Sequence, residues 1–245
     1  MAKSPSARID PAIGAVEIKI TAHNDDEAKV LEILQQTADD PQSRTVYFFD
    51  TPNLALFDSG LVLRVRKIDG DDDDSTVKLR PVDPAGMSKD WLETEGLEVE
   101  MDRVGEKEVI SAKLSAVQKR GEIDRAVSGE RELHKLFNAD QERLIAEFGP
   151  GQVTWEDLTV MGPIAVTKWK APWPERDDEI TVERWQLSDG TDLIEMSIKA
   201  EPTDATAMAE AFIALLRGLG LNVDGDQQTK TKGAMAFFTA GEGFR

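Results

Sequence analysis

Charged residues separated by a single position recur along this chain, and in five segments that spacing restricts how the backbone can pair. The pairs are Glu17/Lys19, Arg64/Arg66, Lys78/Arg80, Lys168/Lys170 and Lys230/Lys232. Side chains alternate across a strand, so positions i and i+2 share a face. In the stretch 61–68, Arg64 and Arg66 therefore share one face, while Leu63 and Val65 share the other. Two guanidiniums side by side repel each other unless water or an anion lies in front of them. A single strand of this kind reads as part of an open sheet with its charged face in water. Repeated along the chain, the pattern points to a sheet closed on itself, with charged faces lining a polar lumen and apolar faces against helices outside. Arginines and lysines converging on one volume suit phosphate oxygens. Carboxylates among them call for cations, and oxygen-only ligands select magnesium or manganese.

Periodicity predicts a first strand over 15–21, with Val16, Ile18 and Ile20 on one face, and further strands near 44–50, 61–68, 75–80 and 96–101. Asn24 followed by Glu27 resembles a capping box and opens a helix to about Thr37, with Val30, Leu31, Ile33 and Leu34 as its stripe. The aspartate-rich segment 69–74 reads as a solvated hairpin loop, because its spacing does not match an EF-hand. From about 105 to 148 the chain is polar and helical in propensity, which predicts a helical insertion serving as a lid, a dimer contact or simple packing. Strands resume near 163–170, 179–187 and 192–200, followed by a helix from Thr203 to about Gly218. The fold class is thus α+β: an antiparallel eight-stranded tunnel with helices outside, as one domain over 14–245 behind a flexible tail, 1–13.

Composition excludes several chemistries. There are no cysteines and only two histidines, His23 and His134, so thiolate metal sites, Cys nucleophiles and His-rich sites are ruled out. A net charge of -18 argues against general nucleic-acid binding, which needs a broad basic surface. An acidic shell around concentrated basic pairs favours a small, highly charged anion held inside. No apolar run is long enough for a membrane helix, and the first residues show no apolar signal core, so a cytoplasmic protein is expected. The aromatic residues Tyr47, Phe48, Trp169 and Trp185 read as packing, not as base-stacking platforms.

Several segments together resemble the CYTH family of triphosphate tunnel metalloenzymes. Thr45–Lys67, TVYFFDTPNLALFDSGLVLRVRK, is similar to the family's "YFDT…L…G…LRxR" signature. Thr76-Val77-Lys78 resembles its T-x-K strand, Val16–Lys19 its N-terminal Glu-x-Glu-x-Lys motif, and Ile194–Lys199 its late Glu-x-Glu strand. The resemblance implies phosphate binding by Lys19, Arg64, Arg66, Lys78 and Arg80, with Lys168, Lys170, Lys230 and Lys232 matched more loosely. It places catalysis on Glu17, Lys19 and Glu195, and a magnesium or manganese ion on Glu17, Glu195 and Glu98 or Glu100. Two motif carboxylates are missing: Ala15 and Ser197 stand where the family usually has glutamate. Losing two ligand charges weakens a divalent-cation site. The expected function is metal-dependent hydrolysis of a triphosphate-containing small molecule, with a non-catalytic triphosphate or nucleotide binder as the alternative and a class IV adenylate cyclase behind both. The substrate, the ion and a homodimeric state stay open at this point.

Overall fold

The computed structural model describes residues 10–22, 26–174, 176–224 and 227–239, with the side chains of 34–37 excepted. Nine strands form a closed barrel: β1 (Ala15–Thr21), β2 (Gln42–Asp50), β3 (Leu61–Ile68), β4 (Asp73–Leu79), β5 (Leu97–Val104), β6 (Lys107–Gln118), β7 (Thr159–Pro172), β8 (Glu179–Gln186) and β9 (Asp192–Ala200). Their order around the barrel is β1-β5-β6-β4-β3-β2-β7-β8-β9. Seven helices accompany them among the described residues: α1 (Glu27–Thr37), α2 (Ala55–Asp58), α3 (Lys89–Leu92), α4 (Glu122–Val127), α5 (Ala139–Phe148), α6 (Ala205–Gly218) and α7 (Lys230–Thr239).

Eight antiparallel strands are expected from the sequence; the ninth is β6, which lies inside the stretch read as a helical insertion. That stretch becomes helical only from α4 onward. In β6 the core-facing residues are Ala112 and Leu114, which are buried, with Ile110 packed beside them. Lysine, serine, alanine and glutamine dilute the β-propensity of the strand, and its pairing with β4 and β5 overrides that local preference. Nine strands cannot close with every neighbour antiparallel, because alternating directions around a ring need an even number. The parity is resolved at β1 and β5, which run parallel. The tunnel is therefore mixed rather than wholly antiparallel.

The barrel is apolar outside and charged inside, as the alternation demands. Val16, Ile18 and Ile20 on β1 and Ile194, Met196 and Ile198 on β9 pack against α6 through Met208, Phe212 and Leu216. Leu61, Leu63 and Val65 on β3 pack against α4 and α5 through Ile123 and Leu144. Helix α5 is tied down by Gln141, whose side-chain amide donates to the carbonyls of Ser75 at 3.1 Å and Leu114 at 2.9 Å.

The last helix, α7, corrects a second expectation. Lys230 and Lys232 have strand-like spacing but stand on a helix, where residues two apart point in widely different directions. Ala234, Met235 and Phe238 of α7 pack on Phe48 and Trp185, closing one end of the lumen with an apolar floor. The aspartate run is not wholly solvated either. Asp73 accepts from the Ile68 amide at 2.9 Å, and Asp74 pairs with Arg66. Ile13, expected in the flexible tail, is buried in the core beneath β3 and β5. Asn24, with its capping role, and His23 lie outside the described residues.

Candidate functional site

The lumen encloses a cavity of about 1150 Å³, room enough for a small molecule. Thirteen lysine and arginine side chains line it against eight carboxylates, the reverse of the balance in a chain of net charge -18. The two signs are segregated by strand order. Neighbouring strands β4, β3, β2 and β7 form a basic arc; β8, β9, β1 and β5 carry the carboxylates opposite.

Arg64 is the centre of the basic arc. It makes no ion pair or hydrogen bond among the described residues, and its Nε is buried without a partner. Burial, with Arg66 beside it, lowers the Arg64 guanidinium to a pKa of about 10. Arg66 is neutralised by Asp74, directly opposite on β4, which accepts from Nε at 3.0 Å. Arg44 on β2 donates from Nε to Gln42 Oε1 at 3.0 Å and lies 3.6 Å from Glu183. Lys168 is held below the ordinary lysine range by burial and then by Arg44, while Lys170 reaches Glu179 at 3.3 Å near the mouth. A turn orders this wall: Asp50 caps α2 by accepting from the Leu56 and Phe57 amides at 2.8 Å. Gly60 then enters β3 at φ +87°, where a Cβ would lie 2.7 Å from the Arg80 carbonyl oxygen. The signature "FDTPNL…DSG" is thus the scaffold that presents Arg64, Arg66 and Arg80.

At the junction of the arcs stands Asp102, a residue the sequence reading stopped short of. Its fully buried carboxylate accepts from Lys19 at 2.7 Å and Lys78 at 2.9 Å, with Ser111 Oγ at 3.2 Å and Arg80 Nε at 3.7 Å. Burial pushes Asp102 up, but Lys19, Lys78 and Arg80 hold it well below the usual carboxylate range. Lys78 is lowered, by burial and then by neighbouring Lys19. The signal lay in the alternation Glu98-x-Glu100-x-Asp102, which continues to the end of β5. Glu98 and Glu100 both face inward, Glu98 at the rim with its side chain 54% exposed and Glu100 at 5%.

The acidic arc is neutralised from within. Glu183 and Glu195 are direct cross-strand partners on β8 and β9. Lys230, brought in by α7, places its Nζ 2.6 Å from Glu195 and 2.8 Å from Glu183. Despite burial, Lys230 is raised by those two carboxylates, and Glu183 is held far below its usual range by Lys230 and Arg44. Glu17 meets Lys19 at 3.1 Å, Glu98 meets Lys113 at 3.2 Å, and Glu100 meets Lys113 at 3.0 Å and Lys199 at 2.9 Å.

All four carboxylates assigned to a metal therefore already face an ammonium. Glu195 registers with Thr21, four residues along β1 from Glu17, or roughly 13 Å of strand. Among the described residues, no three acidic or histidine side chains converge on one point. The donor set as it stands does not fit a divalent cation. The expected residues Glu17, Lys19, Arg64, Arg66, Lys78, Arg80, Lys168, Lys170, Glu98, Glu100, Glu195 and Lys230 line one cavity, with Lys232 at its exposed edge. Arg44, Lys113, Lys199 and Glu183 join them without having been foreseen, and Asp102 lies fully buried behind Lys19 and Lys78. Phe48 and Trp185 belong to the floor, and His134 sits outside the lumen beside Trp155.

Comparison with known proteins agrees with this architecture. Residues 15–228 match the CYTH domain family. A Hippeastrum protein described as a candidate adenylyl cyclase with a dominant triphosphatase activity has a similar fold. Its TM-score is 0.60 at 15% identity, covering 92% of this chain and 95% of that one. A candidate adenylate cyclase from Bacillus halodurans also scores 0.60, at 10% identity, covering 90% and 97%. At those identities the likeness is one of fold. No curated protein matches the chain.

Proposed function

Because this chain belongs to the CYTH domain family, we propose that its barrel is a receptor for a triphosphate-bearing small molecule: tripolyphosphate, a nucleoside triphosphate or thiamine triphosphate. The observation that carries this reading is Arg64. Every lumen carboxylate described above has a cationic partner, whereas Arg64, on the opposite arc, has none among the described residues. Burial and the neighbouring Arg66 disfavour the charged guanidinium, and the carboxylates of Asp74 and Glu183, neither of them ion-paired with it, offset this only in part. An anion between Arg64, Arg66, Arg44 and Lys168 relieves it. Arg64 and Arg66 lie two residues apart, a spacing of roughly 7 Å that lets two guanidiniums reach different phosphates of one chain. Lys78 and Arg80 extend the same wall, while Lys170 and Lys232 stand toward the exposed edge.

A second reading, hydrolysis of the same ligand, is favoured by the Hippeastrum neighbour and its triphosphatase activity. Phosphoryl transfer needs positioning and charge stabilisation more than covalent help, and the basic arc supplies both. In that reading Glu17, Lys19 and Glu195 face the ligand from the opposite wall. Glu17 is desolvated, yet Lys19 and Lys230 keep it below the ordinary glutamate range, so it orients a water better than it accepts a proton. Family members use a metal, and magnesium or manganese is tested with the ligand for that reason.

The test pairs calorimetry with phosphorus NMR on tripolyphosphate, ATP and thiamine triphosphate, each in EDTA, magnesium and manganese. Binding without phosphate release establishes the receptor. Binding with release establishes the hydrolase, and cyclic AMP formed from ATP moves the assignment to a cyclase. Failure of all three ligands to bind under any condition ends the tunnel reading.

A further inference from the structure

The pairing of Glu183 with Glu195 puts two carboxylates directly opposite each other on adjacent strands, both inside the lumen. Like charges in that position destabilise a sheet unless a cation is shared between them. The cation here is covalently part of the chain. Lys230 opens α7, and its Nζ lies 2.6 Å from Glu195 and 2.8 Å from Glu183, also 5.5 Å from the centroid of the Trp185 ring. The side chains of Glu183, Glu195 and Lys230 are 14%, 1% and 15% exposed, so solvent screens this triad little. The helix that carries Lys230 is anchored by Ala234, Met235 and Phe238 in the apolar floor. Gly233 lets α7 approach β9 closely: a Cβ there would come within 3.1 Å of Leu193.

We propose that the Lys230 ammonium is the resident cation of the carboxylate wall, standing between Glu183 and Glu195 where a divalent ion would otherwise bind, so that this site takes no metal. A compact ammonium bridging two carboxylates supplies the same charge neutralisation as a hard cation but leaves no open coordination position. The substitution of Ser197 for a carboxylate is consistent with that arrangement. Ser197 registers with Lys19, and a third negative charge is not needed where one ammonium already serves two. The proposal concerns the triad alone and does not rest on the preceding reading.

The experiment is Mn²⁺ binding to the intact protein, followed by electron paramagnetic resonance without any phosphate present. Wild type is expected to bind no Mn²⁺ at the triad at ~1 mM, whereas Lys230→Ala is expected to bind it at least ~10-fold more tightly. Lys230→Arg, which keeps the positive charge, should behave as wild type. Circular dichroism establishes that each variant is folded. Should Lys230→Ala not fold, wild type against Glu195→Gln decides alone: tight Mn²⁺ binding by wild type that Glu195→Gln abolishes overturns the proposal. A folded Lys230→Ala with no gain in Mn²⁺ affinity overturns it as well. A parallel titration of wild type with tripolyphosphate in EDTA tests the receptor reading, so failure of the one is distinguishable from failure of the other.

Discussion

At the scale of single residues, Asp102 and Arg64 have opposite energetic signatures. Asp102 is the buried hub of three cations, and removing its charge leaves Lys78 and Arg80 without an ion-pair partner among the described residues and Lys19 with Glu17 alone. Asp102→Asn is expected to cost about 3–5 kcal/mol, read from urea unfolding. Its pH dependence follows from the direction of its shift. Asp102 and Glu183 are depressed in the folded state, so their stabilisation is complete above the unfolded carboxylate range, near pH 4. It is lost as pH falls through the folded values. Melting temperature should therefore drop steeply below about pH 4, and less steeply in Asp102→Asn. Arg64 behaves in the opposite way, because among the described residues no ion pair neutralises it and the more distant Asp74 and Glu183 offset its burial only in part. Arg64→Ala is expected to leave stability unchanged or raised, while weakening tripolyphosphate binding by about 10- to 100-fold. Loss of stability comparable to that of Asp102→Asn would instead assign Arg64 a structural role. Arg64 was legible from its spacing; its lack of a partner was not, since that depends on which strands face it across the barrel.

At the scale of elements, the strands with β-branched and aromatic residues were readable from sequence, and β6 was not. Its outward positions, Ile110, Ala112 and Leu114, alternate correctly, but the intervening residues suit a helix as well as a strand. What decides is pairing with β4 and β5, a long-range condition that local preference does not contain. Leu114→Ala should then cost about 2–5 kcal/mol, as a core position does. An effect within about 0.5 kcal/mol, typical of an exposed surface residue, would contradict the buried strand. Helix α7 escaped for a different reason. Two lysines spaced by one residue look the same in a strand and in a helix, and only the barrel floor shows that Lys230 turns inward while Lys232 does not. Phe238→Ala, which empties part of that floor, is expected to cost about 3–5 kcal/mol by thermal or urea unfolding.

At the scale of the whole molecule, the charged pairs repeated on the strands point to an enclosed lumen, and the closed barrel provides it. Closure with nine strands follows from one parallel contact, between β1 and β5, that no segment of the sequence announces. The molecule's -18 charge lies largely away from the cavity, where lysines and arginines outnumber carboxylates. Selectivity for a compact polyanion over a long one follows from that division, since the outer surface repels what the lumen attracts. The most direct measurement is calorimetric titration of tripolyphosphate into wild type and into Arg64→Ala/Arg66→Ala, at matched ionic strength and in EDTA. One site per chain is expected, of micromolar order in wild type, with a loss of at least ~100-fold in the double variant. Equal affinity in the two proteins, or no binding to wild type, would contradict this expectation.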